Sequence, residues 1–265
     1  MSFRKRVDQR LEKREKAYET DRLMRHKRSE EYEALEEVFD RSTLMIIYDL
    51  MNKGTIDEIH GVVNAGKESR VYWGKDKQGN ELAIKIYLTG SAEFRKGMLM
   101  YIEADPRFKG VRHDTRSLVF AWTQKEYRNL QQATEAGVRV PKPIFVKNNV
   151  LVMEFIGKDG ANAPSMKELS PKNPEKTYKT LLAYLKKLYG KAGLVHGDLS
   201  EYNIMIWNGQ PVLFDMSQSV PLSHPMADSL LHRDLTNLNK FFKRLDVKVL
   251  STEEAYRQIT GHDGN

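Results

Sequence analysis

The 265-residue chain has no cysteine, only nine prolines and only three tryptophans. Without cysteine there is no disulfide, thiolate zinc site or cysteine nucleophile; this leaves the redox setting open, a reducing cytoplasm fits, and a cytoplasmic location is the expectation. Near the N-terminus the longest strictly apolar stretch is Leu44 to Tyr48, and the first ten residues are charged throughout, so neither a signal peptide nor a membrane span is expected. Charge, by contrast, is plentiful: 43 Lys and Arg against 36 Asp and Glu give +7 and a pI near 9.3. With 40% hydrophobic residues, a chain of this length supports one large domain or two lobes around a cleft. The basic excess is concentrated in residues 1–28, which carry eleven Lys and Arg against five acids, whereas 29–40 carry six acids and no base. Such an arm either steers toward RNA phosphates or forms a solvated helix with pairs at spacing four, such as Glu12 with Lys16.

Beyond the arm, Leu44, Ile47, Tyr48 and Met51 follow helical spacing, with Ser42 or Thr43 to cap the helix and Gly54 to end it. Three β-type runs follow, His60 to Val63, Arg70 to Trp73 and Glu81 to Tyr87, which read as an antiparallel meander. Residues 89–117 show no steady period and read as a partly mobile insertion. From Ser117 to Ala136, Val119, Trp122, Leu130 and Ala133 form a helical stripe closed by Gly137. Glu126 lies four residues from both Trp122 and Leu130, on or beside the buried face, and needs a cationic partner there. Two more strands, Ile144 to Val146 and Val150 to Phe155, precede a linker over 157–164. The remainder reads as a helix on Tyr178, Leu181, Leu182, Leu185 and Leu188, a hairpin at Asn208-Gly209, a helix from Leu231 to Leu245, and a short last helix capped by Thr252. The chain thus divides into a charged arm (1–42), an N-lobe (43–156) and a reduced C-lobe (157–265).

Gly61 to Lys67 has the G-x-x-x-x-G-K spacing of a phosphate loop, but Glu68 stands where a Ser or Thr should hold magnesium, and the flanks alternate like a hairpin. A glycine loop between two strands is the protein-kinase arrangement. Laid on G-x-G-x-x-G-x-V ending at Val71, the glycine positions fall on Asn64, Gly66 and Ser69, with only Gly66 kept. Leu82-Ala-Ile-Lys85 is close to V-A-I-K, whose lysine contacts nucleotide phosphates. A lysine on an apolar strand and a glutamate on an apolar helix are each costly alone and reasonable as a pair, Lys85 with Glu126. His196 to Asn203 matches H-x-D-x-x-x-x-N, and Asp215 follows twelve residues later. In this pattern Asp198 accepts the substrate proton or orients the nucleophile, while Asn203 and Asp215 offer hard oxygens to magnesium between the β and γ phosphates. The departures matter equally. Gly197 replaces the arginine of H-R-D, Asp215-Met-Ser replaces D-F-G, and no A-P-E follows, so neither a phosphate-responsive activation loop nor the usual peptide-docking surface is expected.

Asn64-Ala-Gly-Lys-Glu-Ser69, Leu82-Ala-Ile-Lys85, Met153-Glu-Phe-Ile-Gly157, Val195-His-Gly-Asp-Leu-Ser-Glu-Tyr-Asn203, Phe214-Asp-Met-Ser-Gln218 and His224-Pro-Met-Ala227 together resemble the RIO family of atypical serine/threonine protein kinases. The resemblance runs from about Leu44 to Leu245 and looks most like a compact, archaeal-type form of the first RIO branch. It implies an α+β, two-lobed protein-kinase-like fold. The N-lobe would hold an antiparallel sheet and one long helix, and the mainly helical C-lobe would lack the usual activation segment and late helices. It implies ATP with Mg2+, or Mn2+ in its place. The adenine would lie against Met153, Glu154 and Ile156, and the phosphates beneath Val63, Gly66, Lys67, Glu68, Ser69 and Val71, beside Lys85 and Glu126. Asn203 and Asp215 would hold the metal, and Asp198 would be the catalytic aspartate. The family further implies serine autophosphorylation, with Ser91 and Ser117 as candidates in the insertion, and an ATPase switch through a phosphoryl group on Asp215. It also implies a role in small ribosomal subunit maturation, with the subunit precursor and, through the basic arm, rRNA as partners. Two alternatives stand beside it: a small-molecule phosphotransferase of the aminoglycoside or choline kinase type, and a nucleotide-binding assembly factor with little catalysis.

Overall fold

The first helix, α1 (Arg41–Asn52), starts where the Asp40 carboxylate accepts the Thr43 N–H at 3.0 Å, so Asp40 and not Ser42 or Thr43 is the cap. The computed structural model of the chain describes residues 39–261 except Ser91, Glu103 and the side chains of 92–96, so the basic arm and Ser91 lie outside the described residues. The buried face of α1 is Thr43, Ile46, Ile47 and Leu50; of the expected stripe Leu44, Ile47, Tyr48 and Met51, Ile47 is fully buried, and Leu44 and Met51 pack at the edge of the same core.

Five strands form one antiparallel sheet, β1 (Glu58–Ala65), β2 (Ser69–Lys75), β3 (Glu81–Tyr87), β4 (Pro143–Lys147) and β5 (Val150–Glu154), in the order β1-β2-β3-β5-β4. Strand β3 is central and buried on both faces. Its period of two sends Leu82, Ile84 and Ile86 into a core shared with Ile46, Ile47 and Leu50 of α1, and leaves Ala83, Lys85 and Tyr87 for the opposite face. Strand β5 alternates in the same way, with Val150 and Val152 toward α1 and Leu151 in the other core.

The insertion is a correction to the sequence reading. It contains a helix, α2 (Ala92–Ile102), and a short 3-10 turn (Pro106–Phe108), and it buries Met98, Tyr101, Ile102 and Phe108. The long helix α3 (Thr115–Glu135) follows, capped by Asp114. It packs on β4, β5 and the turn Met216–Gln218, and its buried Trp122, Leu130 and Ala133 belong to a core that continues into the C-terminal half.

The expected linker holds a small hairpin of β6 (Gly157–Lys158) and β7 (Ala161–Asn162). Next come α4 (Pro174–Gly190), β8 (Leu194–Val195), the hairpin β9 (Ile204–Trp207) and β10 (Gln210–Leu213), β11 (Val220–Pro221), α5 (Ala227–Lys243) and α6 (Thr252–Thr260). Asn208 and Gly209 both have positive φ, 49° and 74°, as the tight β9–β10 turn requires. Helix α6 is capped by Ser251 in a reciprocal box with Glu254, so Thr252 is its first residue and not its cap. This is the kinase-like α+β arrangement: an antiparallel sheet with one long helix, then a mainly helical part. No helix among the described residues is long and apolar enough to cross a membrane.

Candidate active site

Between the sheet and the helical part lies a cavity of about 410 Å³. The expected residues Val63, Gly66, Lys67, Glu68, Ser69, Val71, Lys85, Glu126, Met153, Glu154, Ile156 and Asp215 all line it. Phe155, within the expected Met153 to Ile156 hinge, lines it too, whereas sequence reasoning missed other parts of its wall, among them Ala83, Pro141, Asn162, Met205 and Phe214. Ala83 follows from the same alternation that puts Lys85 on the cavity face of β3, whereas Pro141 and Met205 come from loops and strands far apart in sequence and carry no local signal. The Glu154 carboxylate is engaged in a two-pronged ion pair with Arg139, at 2.6 and 2.7 Å. Among the described residues the Ile156 N–H meets no acceptor, while the Ile156 carbonyl accepts the Ala163 N–H at 2.9 Å.

Lys85 stands at the centre. Its Nζ donates to Glu126 Oε1 at 2.7 Å and to Asp215 Oδ1 at 3.2 Å, so the pairing inferred from sequence is present. Burial opposes the ammonium charge, but the Asp215 and Glu126 carboxylates outweigh it and hold the Lys85 pKa well above its ordinary value. For Glu126, burial raises the pKa against the pull of Lys85. Its second oxygen accepts the Tyr87 hydroxyl at 2.6 Å, a partner the sequence did not reveal. Burial also works against ionised Asp215, yet Lys85 and the Ser217 hydroxyl, which donates to Asp215 Oδ1 at 2.8 Å, bring its pKa below the usual carboxylate value.

Asp198 and Asn203 sit beside the cavity and are joined to each other. The Asn203 amide donates to the Asp198 carbonyl at 2.7 Å and to Asp198 Oδ2 at 3.0 Å. Burial and then the charge of Asp215 raise the Asp198 pKa, which makes its carboxylate a better base. The Asn203 carbonyl accepts the Phe214 N–H at 3.1 Å, tying this loop to the residue before Asp215.

The loop carrying Asp198 is held from α5, which no motif had singled out. The two oxygens of Asp234 accept the N–H groups of Gly197 and Leu199, each at 2.8 Å, and burial pushes the Asp234 pKa up to about 7 against those donors. Gly197 has φ +81°, and a Cβ there would stand 3.1 Å from the Gln218 carbonyl, so the arginine of H-R-D does not fit this backbone. Arg233 instead donates to the Gly197 carbonyl and to the Tyr101 hydroxyl of α2. Ser117 lies in the first turn of α3, where its N–H donates to the capping Asp114.

His196 is fully buried, and burial lowers its pKa from 6.5 to about 4. Above pH 6.5 it is neutral in both the folded and unfolded chain, so it contributes no pH dependence there. Between 6.5 and about 4 the unfolded chain binds a proton that the native state resists, so stability falls as pH falls. The expected loss is up to about 3 kcal/mol. Denaturant midpoints from pH 7.5 to 4.5 should therefore fall more steeply for the wild type than for His196→Gln, and parallel curves would contradict the assignment.

The residues present suit a magnesium ion. Among the described residues, Asn203 Oδ1 and Asp215 Oδ2 accept no hydrogen bond, leaving two hard oxygens on adjacent segments. No group of three or more His, Cys, Asp or Glu that could hold a metal occurs among the described residues. Two protein oxygens completed by phosphates and water are the usual way magnesium is held at a nucleotide site.

Residues 70–255 match the RIO domain family. The RIO-type serine/threonine-protein kinase Rio1 of Haloferax volcanii is 40% identical over 241 residues, covering 91% of this chain and 82% of the relative. Rio1 of Methanocaldococcus jannaschii is also 40% identical, over 88% of this chain and 79% of its own length. The human serine/threonine-protein kinase RIO1 is 37% identical over 85% of this chain, which spans only 40% of that longer protein. Among solved structures, the ADP/Mg2+-phosphoaspartate complex of Rio2 kinase from Chaetomium thermophilum aligns with a TM-score of 0.61 at 22% identity. The alignment covers 82% of this chain and 66% of that one, and supports the fold alone.

Proposed function

The chain belongs to the RIO family of serine/threonine protein kinases, and from that premise we propose that its cavity takes ATP with Mg2+ and transfers the γ-phosphoryl group. The observation that carries this reading is Lys85 set between Glu126 and Asp215, with Asp198 and Asn203 alongside. The free Ile156 N–H is positioned to recognise an adenine edge against Met153 and Ile156, and the β1–β2 loop from Val63 to Val71 covers the phosphates. Lys85 binds phosphate oxygens, and Glu126 keeps it charged and aimed. Asn203 and Asp215 would hold Mg2+, or Mn2+ with the same preference for hard oxygens, and the ion would supply charge neutralisation between the β and γ phosphates. Asp198 orients the attacking hydroxyl and takes its proton as the new P–O bond forms and the bond to ADP breaks.

In the same site Asp215 is itself a phosphoryl acceptor. Its carboxylate attacks the γ-phosphorus and releases ADP, and water then cleaves the acyl phosphate to regenerate Asp215 and free phosphate. Support for this step comes from Asp215 Oδ2, which accepts no hydrogen bond among the described residues. Such a cycle serves as an ATPase switch on a precursor of the small ribosomal subunit, with the basic residues 1–28 contacting rRNA phosphates. The test is co-sedimentation with small-subunit precursor particles. The chain is expected to leave the particles in ATP and to remain on them as Asp198→Ala. Charge reversal at Arg4, Lys5, Arg6 and Arg10 should weaken particle binding and flatten its salt dependence. Binding indifferent to both would overturn the ribosomal reading.

A further inference from the structure

Asp215 has φ +56° and ψ +61°, a left-handed conformation that costs an L-residue free energy and persists only where the surroundings enforce it. The turn it opens, Met216–Ser219, is gripped through its carbonyls by three buried or largely buried side chains. Lys125 Nζ donates to the Ser217 carbonyl at 2.8 Å, and Asn129 Nδ2 donates to the carbonyls of Met216 at 2.7 Å and Ser219 at 3.2 Å. Arg107 donates to the Ser219 carbonyl at 3.2 Å and to Asn129 Oδ1 at 2.6 Å, while the buried Asp105 carboxylate braces its guanidinium at 2.6 to 3.1 Å.

We propose that Arg107, Lys125 and Asn129 are positioning residues that set Asp215 for metal binding. Lys125 and Asn129 share α3 with Glu126, so one rigid helix fixes both the partner of Lys85 and the turn that carries Asp215. That common element holds Lys85 Nζ within 2.7 Å of one carboxylate and 3.2 Å of the other. Arg107 comes from the insertion, which makes a segment read from sequence as mobile a part of the active-site frame. Buried donors aimed at three carbonyls of one short turn are costly unless satisfied, and apolar side chains could fill the same space without orienting the turn.

The inference rests on Asp215 holding the metal, and the test separates the two. Affinity for a fluorescent ADP analogue is measured in EDTA and across a Mg2+ titration for the wild type, Lys125→Met, Asn129→Leu, Arg107→Lys and Asp215→Asn. The positioning variants should bind the analogue in EDTA like the wild type, which reports an intact fold. Their Mg2+ midpoint should rise by about tenfold or more, the usual cost of losing support behind a metal ligand. Asp215→Asn should abolish the Mg2+ effect. An unchanged midpoint in variants that bind the analogue normally overturns the proposal. A Mg2+ effect surviving in Asp215→Asn overturns the metal assignment beneath it. If one variant fails to fold, the remaining two decide.

Discussion

Replacing Asp198 with alanine should slow phosphoryl transfer by about a hundred- to ten-thousand-fold, with little change in ATP affinity. Asp198 does not line the cavity, so its loss removes no wall against the nucleotide. Asn203 keeps its 2.7 Å bond to the residue 198 carbonyl in the variant, which preserves the loop. What disappears is a carboxylate whose pKa is raised by burial and by Asp215, and whose Oδ1 accepts no hydrogen bond among the described residues. The effect should fall on kcat in autophosphorylation assays. A loss confined to KM would mean that Asp198 binds substrate and does not handle its proton.

Lys85→Met should cost both activity and stability. Removing the ammonium leaves the buried Glu126 beside Asp215 with no cation between them, so Glu126 must either hold an unpaired charge or take up a proton, and breaking a buried pair in this way costs about 3–5 kcal/mol. For a chain of this size that corresponds to a fall in Tm of about 6–20 °C. The double variant Lys85→Met with Glu126→Gln should recover much of the stability, because the amide keeps the Tyr87 hydrogen bond without a charge, and should remain inactive. Equal melting temperatures for the single variant and the wild type would show that the pair carries no structural weight.

The central pair was legible because each residue violated its surroundings: a lysine flanked on its strand by Leu82, Ala83, Ile84 and Ile86, and a glutamate between Trp122 and Leu130. The β9–β10 turn was legible because Asn208-Gly209 is a local signal for two positive φ values. The insertion was not. Gly97 interrupts α2, and its helical face is completed only by packing Met98, Tyr101 and Ile102 into a core whose other walls lie far away in sequence. The support around Asp215 was hidden for the same reason, since Asn129 reaches carbonyls 87 and 90 residues away and Lys125 reaches one 92 residues away. Helix starts were misplaced by one to three residues where several capping side chains adjoin, as with Asp40 beside Ser42 and Thr43, or Ser251 beside Thr252.

The most direct test of the whole account is incubation with γ-labelled ATP and Mg2+, following labelled protein and free phosphate separately for the wild type, Asp198→Ala and Asp215→Asn. The account predicts label on the wild-type protein or release of phosphate, with both channels lost in Asp198→Ala and in Asp215→Asn. Transfer that survives in either variant at the wild-type rate would contradict the placement of the chemistry in this cleft.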